Sequence, residues 1–202
     1  MVLGFSFVFP LLLVMAILQW GAALSGRDPR GWVPTLILGL ISAGIVGIPV
    51  GGLPLARWLI SLNANFSVTL TAILFCKVTG TAFGIRLLDG KALLTCWLFS
   101  VTAGVMLYPM ALGLGRWDPY QAGWGVSWLF VVVYSATVVF LIMKDRFAVV
   151  MIAAIFAYNL HLLESTNLWD YLIDPFLVIF SCIALGRRLL QNVHDRSQRR
   201  QG

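Results

Sequence analysis

Apolar residues fall in seven long runs, at 4–24, 34–56, 67–85, 92–114, 125–143, 147–163 and 168–186, and short polar stretches between them hold most of the charges. A bilayer core of about 30 Å takes roughly 20 helical residues. The pattern therefore predicts an all-α, polytopic transmembrane bundle of about seven spans. The sixth run is short and ends in Tyr158, Asn159 and His161. The seventh has only the eleven residues from Pro175 to Leu185 after Asp174, so it spans only if the stretch Trp169–Asp174 contributes. In the second run, Pro49, Gly51, Gly52 and Pro54 are expected to kink or break the outer end.

Basic residues set the expected orientation. Arg27 and Arg30, Arg86 and Lys91, and Lys144 and Arg146 follow the odd-numbered spans, and Arg187, Arg188, Arg196, Arg199 and Arg200 end the chain. These eleven lie on one side, against Arg57 and Arg116 on the other. The positive-inside rule then places the N-terminus outside and the C-terminus in the cytoplasm. An odd number of spans follows, and dropping either weak span scatters the charges over both faces. The expected organisation is one transmembrane domain, 1–186, and a basic cytoplasmic tail, 187–202. The first 24 residues lack a basic start and are read as a retained span, not a cleaved leader.

Composition supports the same class. Of 202 residues, 60% are hydrophobic and 11% charged, with mean hydropathy +0.91; soluble domains are about 25% charged. The net charge of +6 sits in inter-helix loops and the tail, which suits an anionic leaflet and not nucleic acid. The expected partner is the lipid bilayer. Short loops point to a bacterial inner membrane. Cys76, Cys96 and Cys182 each lie within an apolar run at no motif spacing, so neither disulfides nor a redox pair are expected.

Candidate chemistry is sparse. The segment from His161 to Asp174 holds one of two histidines and three of eight acids: Glu164, Asp170 and Asp174. His161 and Glu164 share a face if helical, as do Asp170 and Asp174. With Asp118 on the same side, these groups suit a cation site, a proton relay or acid–base work. The structural alternative reads Asp174-Pro175 as an N-cap with proline at the first helical position, and Asp170 as part of a loop. Lys77 lies in the middle of the third run, where an unpaired ammonium is costly and points to a polar pocket, or to snorkelling. Arg57-Trp58 and Arg116-Trp117 suit interfacial anchors or lipid-phosphate contacts. Gly39, Ala43, Gly47 and Gly51 repeat every four residues. Such a row favours close helix packing, within the chain first and against a partner helix second. Cofactor and metal stay open: there is no HExxH, no G-x-S-x-G, no phosphate-binding glycine loop and no histidine pair for haem.

Three functions follow. A carrier, or membrane subunit of a complex, for a small or lipid-linked solute requires a polar cavity reaching Lys77. A membrane-embedded enzyme acting on a lipid-linked substrate requires carboxylates converging at the outer face. A non-catalytic scaffold requires neither.

Overall fold

The computed structural model describes the backbone of Phe5 and of residues 7–201, with side chains described to Val193 and at Gln198. The expected start of the first span at residue 4 and the side chains of Arg196, Arg199 and Arg200 lie outside the described residues. Among these residues the chain forms nine α-helices, one 3-10 turn and one two-stranded hairpin, so the all-α expectation holds.

Helix α1 is Val8–Leu24 and α2 is Trp32–Gly47; the hairpin pairs β1, Pro49–Val50, with β2, Leu53–Pro54, and leads into α3, Leu55–Leu62. Then come α4, Val68–Phe83, and α5, Gly90–Ala111, followed by the 3-10 turn Pro119–Gly123. Next are α6, Trp128–Ile142, α7, Phe147–Asn159, the five-residue α8, Leu168–Leu172, and α9, Pro175–Gln201.

Polar punctuation in the sequence sets these boundaries. The second run does not continue to 56. Its helix stops at Gly47, because Gly51 (φ 58°) and Gly52 (φ 84°) take the left-handed conformation that a two-residue hairpin turn needs. Ser67 caps α4 by accepting the amide of Leu70, Asp89 caps α5 by accepting that of Ala92, and Asp174 starts α9 by accepting that of Leu177. The seventh run is therefore divided: Trp169–Asp174 does not lengthen the last helix, which starts at Pro175 and continues through the residues expected to form a tail.

Seven helices of 13 residues or more run alternately between two ends. At one end the Gly31 amide donates to Ala82, Arg146 donates to the Arg86 carbonyl at 2.7 Å, and Lys91 donates to the Met143 carbonyl at 3.0 Å. This basic end gathers the loops 25–31, 84–89 and 143–146. At the opposite, acidic end the Ser67 amide donates to Asp174, Ser165 to Asn65 and Tyr120 to Asp170.

Helix α7 is central, with Phe147, Ala148, Met151 and Ala154 fully buried. Helix α2 is peripheral and buries only Ser42 and Val46. Large apolar side chains stay exposed on α2 (Leu36, Ile37, Leu40), α6 (Val131, Val132, Ile142) and α9 (Ile179, Phe180, Ile183). Among the described residues two helices are, by length and composition, long and apolar enough to cross a membrane, Gly90–Ala111 and Pro175–Val193; five more apolar helices span 13–17 residues.

The expectation that the glycine row packs within the chain is not met. Gly39 and Gly47 have no atom of another element where a side chain would grow, and Gly51 lies in the hairpin, off the helix. The close contact is at Gly104 on α5, where a Cβ would come within 2.7 and 2.9 Å of the Val178 methyls on α9. Gly104→Leu should therefore cost about 1–3 kcal/mol through overpacking, read as a lower Tm in detergent, whereas Gly47→Leu should leave Tm unchanged.

Candidate functional site

The segment from His161 to Asp174, with Asp118, does not form a single four-acid site. His161 ends the turn after α7 in a left-handed conformation (φ 50°) and is exposed, its ring edge-on to Tyr158 with centroids 6.3 Å apart. Glu164 is exposed, and among the described residues it has no ion-pair or hydrogen-bond partner. Because helix α7 ends at Asn159, His161 and Glu164 share no helix face. Asp118 accepts the Tyr120 amide and caps the 3-10 turn.

Asp174 is buried, at 2% exposure, and holds two helix starts together. Its Oδ1 accepts the Leu177 amide of α9 and its Oδ2 the Ser67 amide before α4, both at 2.9 Å. Its charge thus faces the positive ends of two helices. That is a structural role, and it leaves Asp170 as the acid with free chemistry.

Asp170 sits on α8, which is folded into the end of the bundle: Leu168, Trp169, Tyr171 and Leu172 are all buried. The Tyr120 hydroxyl donates to Asp170 Oδ2 at 2.9 Å, and Ser165 is a second polar neighbour of this carboxylate. Burial pushes the Asp170 carboxyl above its ordinary value; Ser165 and Tyr120 pull it back only in part, and the Asp174 charge adds to the rise. Burial, then the Asp170 charge, likewise push the Tyr120 phenol upward. A carboxyl raised on folding favours the folded state at low pH. That contribution is present below the ordinary carboxyl value of about 4 and is lost as pH rises through the higher folded value. Asp170→Asn keeps an acceptor for Tyr120 and removes the charge. In melts between pH 4 and pH 8 it should flatten the decline of Tm, with the variant gaining on the wild type at the upper end.

The clasp also uses residues with no chemical role in the sequence reading. Asn167 caps α8, its Oδ1 accepting the Trp169 amide, while its Nδ2 donates to the Tyr120 carbonyl, both at 2.9 Å. Trp169 Nε1 donates to the Pro119 carbonyl, tying α8 to the 3-10 turn. The sequence signal was the spacing of an N-cap asparagine three residues before an acid, Asn167 to Asp170. Tyr120 is partly buried here and Trp169 fully. Among the described residues no three His, Cys, Asp or Glu side chains gather as metal ligation requires.

The basic end is different. A cavity of about 1160 Å³ opens between the loop after α1, helix α4, the loop after it, and the start of α5. Lys77 lies on its wall with Arg27, Arg30 and Arg86, and Asp28 is the single acid. Asp28 pairs with Arg30 at 3.8 Å, both side chains being well exposed. Among the described residues Arg27, Lys77 and Arg86 have no carboxylate within 4 Å. The rest of the wall is apolar or small, with Ile73, Leu88, Leu93 and Trp97 among it. Lys77 therefore faces a cavity that its helix shares with the basic loops. Close by, the otherwise apolar helix α1 places buried Gln19 against α4, where its Nε2 donates to the Val78 carbonyl at 3.2 Å. Arg57, expected as a lipid-phosphate contact, lies over the Phe7 ring, its guanidinium carbon 5.8 Å from the centroid, and Arg116 is exposed in the loop after α5. The chain matches no family model, no curated protein and no solved structure, so its own geometry carries the functional argument.

Proposed function

We propose that this chain is a seven-span integral membrane protein, of a bacterial inner membrane, that takes an anionic solute into the Lys77 cavity from the cytoplasmic face, as a small carrier or the membrane subunit of one. The observation that carries this reading is the cavity itself: three cations without a carboxylate partner among the described residues, and one ion pair, around a space large enough for a small molecule. A mid-helix lysine is costly in lipid unless hydrated or paired, and a cavity open to water would supply the hydration. The two ends also differ as a carrier caught open to one side would: a cavity at the basic end, and at the other a packed segment in which Leu163, Asn167, Trp169, Tyr171 and Asp174 are buried.

Seven alternating helices support the spans. Those of 13–17 residues are about 20–26 Å long at 1.5 Å per residue, and exposed apolar flanks and local thinning of the bilayer would make up the difference. The N-terminus lies outside and the C-terminus in the cytoplasm. A reporter active only in the cytoplasm should work when fused after Arg200 and fail when inserted between 164 and 169. Activity at both positions would remove the seven-span topology.

Solute binding is tested on the full chain in a neutral detergent, titrated with inorganic phosphate and, separately, with choline. Phosphate should raise Tm and choline should not, and Lys77→Gln should weaken the phosphate effect at least about tenfold, a loss in line with removing a charge-assisted bond. Equal responses to both ions, or a response untouched by Lys77→Gln, would refute the reading.

A second reading rests on the uncovered face of α2. Gly39, Ala43 and Gly47 lie open beside exposed Leu36 and Leu40, which favours a partner transmembrane helix docking there. The outer-face enzyme keeps only the Tyr120–Asp170–Ser165 cluster in its support.

A further inference from the structure

We infer that the occupant of the Lys77 cavity is an amphiphile: a phosphate-type anionic head held by Lys77, Arg27 and Arg86, with an apolar chain along the wall of Ile73, Leu88, Leu93 and Trp97. This rests on the anion-cavity reading above and narrows it to a class of ligand.

Three observations separate an amphiphile from a small hydrophilic anion. The first is size. About 1160 Å³ is above the range of about 300–1,000 Å³ that holds drug-sized ligands, whereas a bare phosphate fills a small fraction of it. The second is the distribution of polarity. The basic groups come from the two loops and from Lys77, whereas α5 contributes only apolar Leu93 and aromatic Trp97 to the wall. A small ion would leave that apolar surface wet; an alkyl chain would cover it, at about 0.8 kcal/mol per buried methylene. The third is charge balance. Among the described residues Arg30 is the one cation here with a carboxylate partner, so the exposed Arg27, Lys77 and Arg86 are free to meet a head of more than one negative charge. Basic pockets between helices on the cytoplasmic side suit phosphate-bearing lipid heads, and an arginine fork matches phosphate bidentately.

The head chemistry has two sources, a lipid head or a free phosphate, and chain length distinguishes them. The full-length protein in neutral detergent is titrated with inorganic phosphate, with hexyl phosphate, and with hexyltrimethylammonium, which has the same chain and the opposite charge. Hexyl phosphate is expected to bind at least about tenfold more tightly than inorganic phosphate, the worth of about two buried methylenes. It should also bind at least about tenfold more tightly than hexyltrimethylammonium. Lys77→Gln and Arg86→Gln should each weaken the two phosphates, and Leu93→Asn should weaken hexyl phosphate alone. If hexyl phosphate binds no better than inorganic phosphate, with both lost in Lys77→Gln, the amphiphile inference fails and the anion cavity stands. If the two hexyl compounds bind alike, the chain alone is being held and the inference also fails. If no phosphate binds, the anion reading fails with it.

Discussion

Gly123→Ala is expected to disrupt the acidic end of the bundle and lower stability by about 3 kcal/mol or more, in the range that requires a specific buried conflict. A Cβ at this position would overlap the side-chain oxygen of Asn167 and stand 2.6 Å from its Cγ and 2.9 Å from Trp169 Cδ1. Neither neighbour can yield. Asn167 is buried and fixed through both ends of its amide, to the Trp169 amide and the Tyr120 carbonyl. Trp169 is buried too, its indole donating to Pro119. Moving Asn167 uncaps α8 and strands polar groups out of reach of water, each at about 1–3 kcal/mol. Gly21→Ala is the control, since nothing lies within 4 Å of its Cβ position, and should stay within about 0.5 kcal/mol of wild type. Thermal melts of both variants in detergent make the comparison.

Asp174→Ala should cost nearly as much, about 3 kcal/mol. It removes the acceptor of two backbone amides, Ser67 and Leu177, at the starts of two helices. The loss exceeds the ~1 kcal/mol of a single N-cap, because the Ser67 amide is left buried without a partner. Asp174→Asn keeps one acceptor oxygen and should fall between, while Glu164→Gln, at an exposed position, should be silent. A melt in which Asp174→Ala and Glu164→Gln behave alike would show that the carboxylate is not the joint between α4 and α9.

How far the sequence could be read depended on whether the signal was local. Apolar runs bounded by Ser67, Asp89 and Asp174 identify helices and their starts, because caps act within three residues. Asp174-Pro175 is the clearest case: the capping alternative was visible in the dipeptide, and the bond to Ser67, 107 residues away, was not. The glycine row misled because period alone does not say which face of α2 meets the chain; the close helix–helix approach is at Gly104, the last of the small residues Ala92, Cys96, Ser100 and Gly104 that repeat every four positions on α5 and are all buried. Asp145 is buried and accepts from the Thr95 hydroxyl and the Phe147 amide, a role that depends on where α5 passes. Lys77 was legible as an anomaly. Its companions Arg27 and Arg86 were read as topology signals, and their meeting around one cavity needs the fold of α1, α4 and α5.

Cys76 lies on the cavity wall beside Lys77, while Cys96 is buried and Cys182 is exposed on α9. With Cys96 and Cys182 both replaced by alanine, reaction of Cys76 with a membrane-impermeant maleimide reports directly on whether water enters from the basic end. Inside-out vesicles should label and right-side-out vesicles should not, and excess hexyl phosphate should slow the labelling. Labelling from the outer side, or from neither, would contradict a cavity open to the cytoplasm.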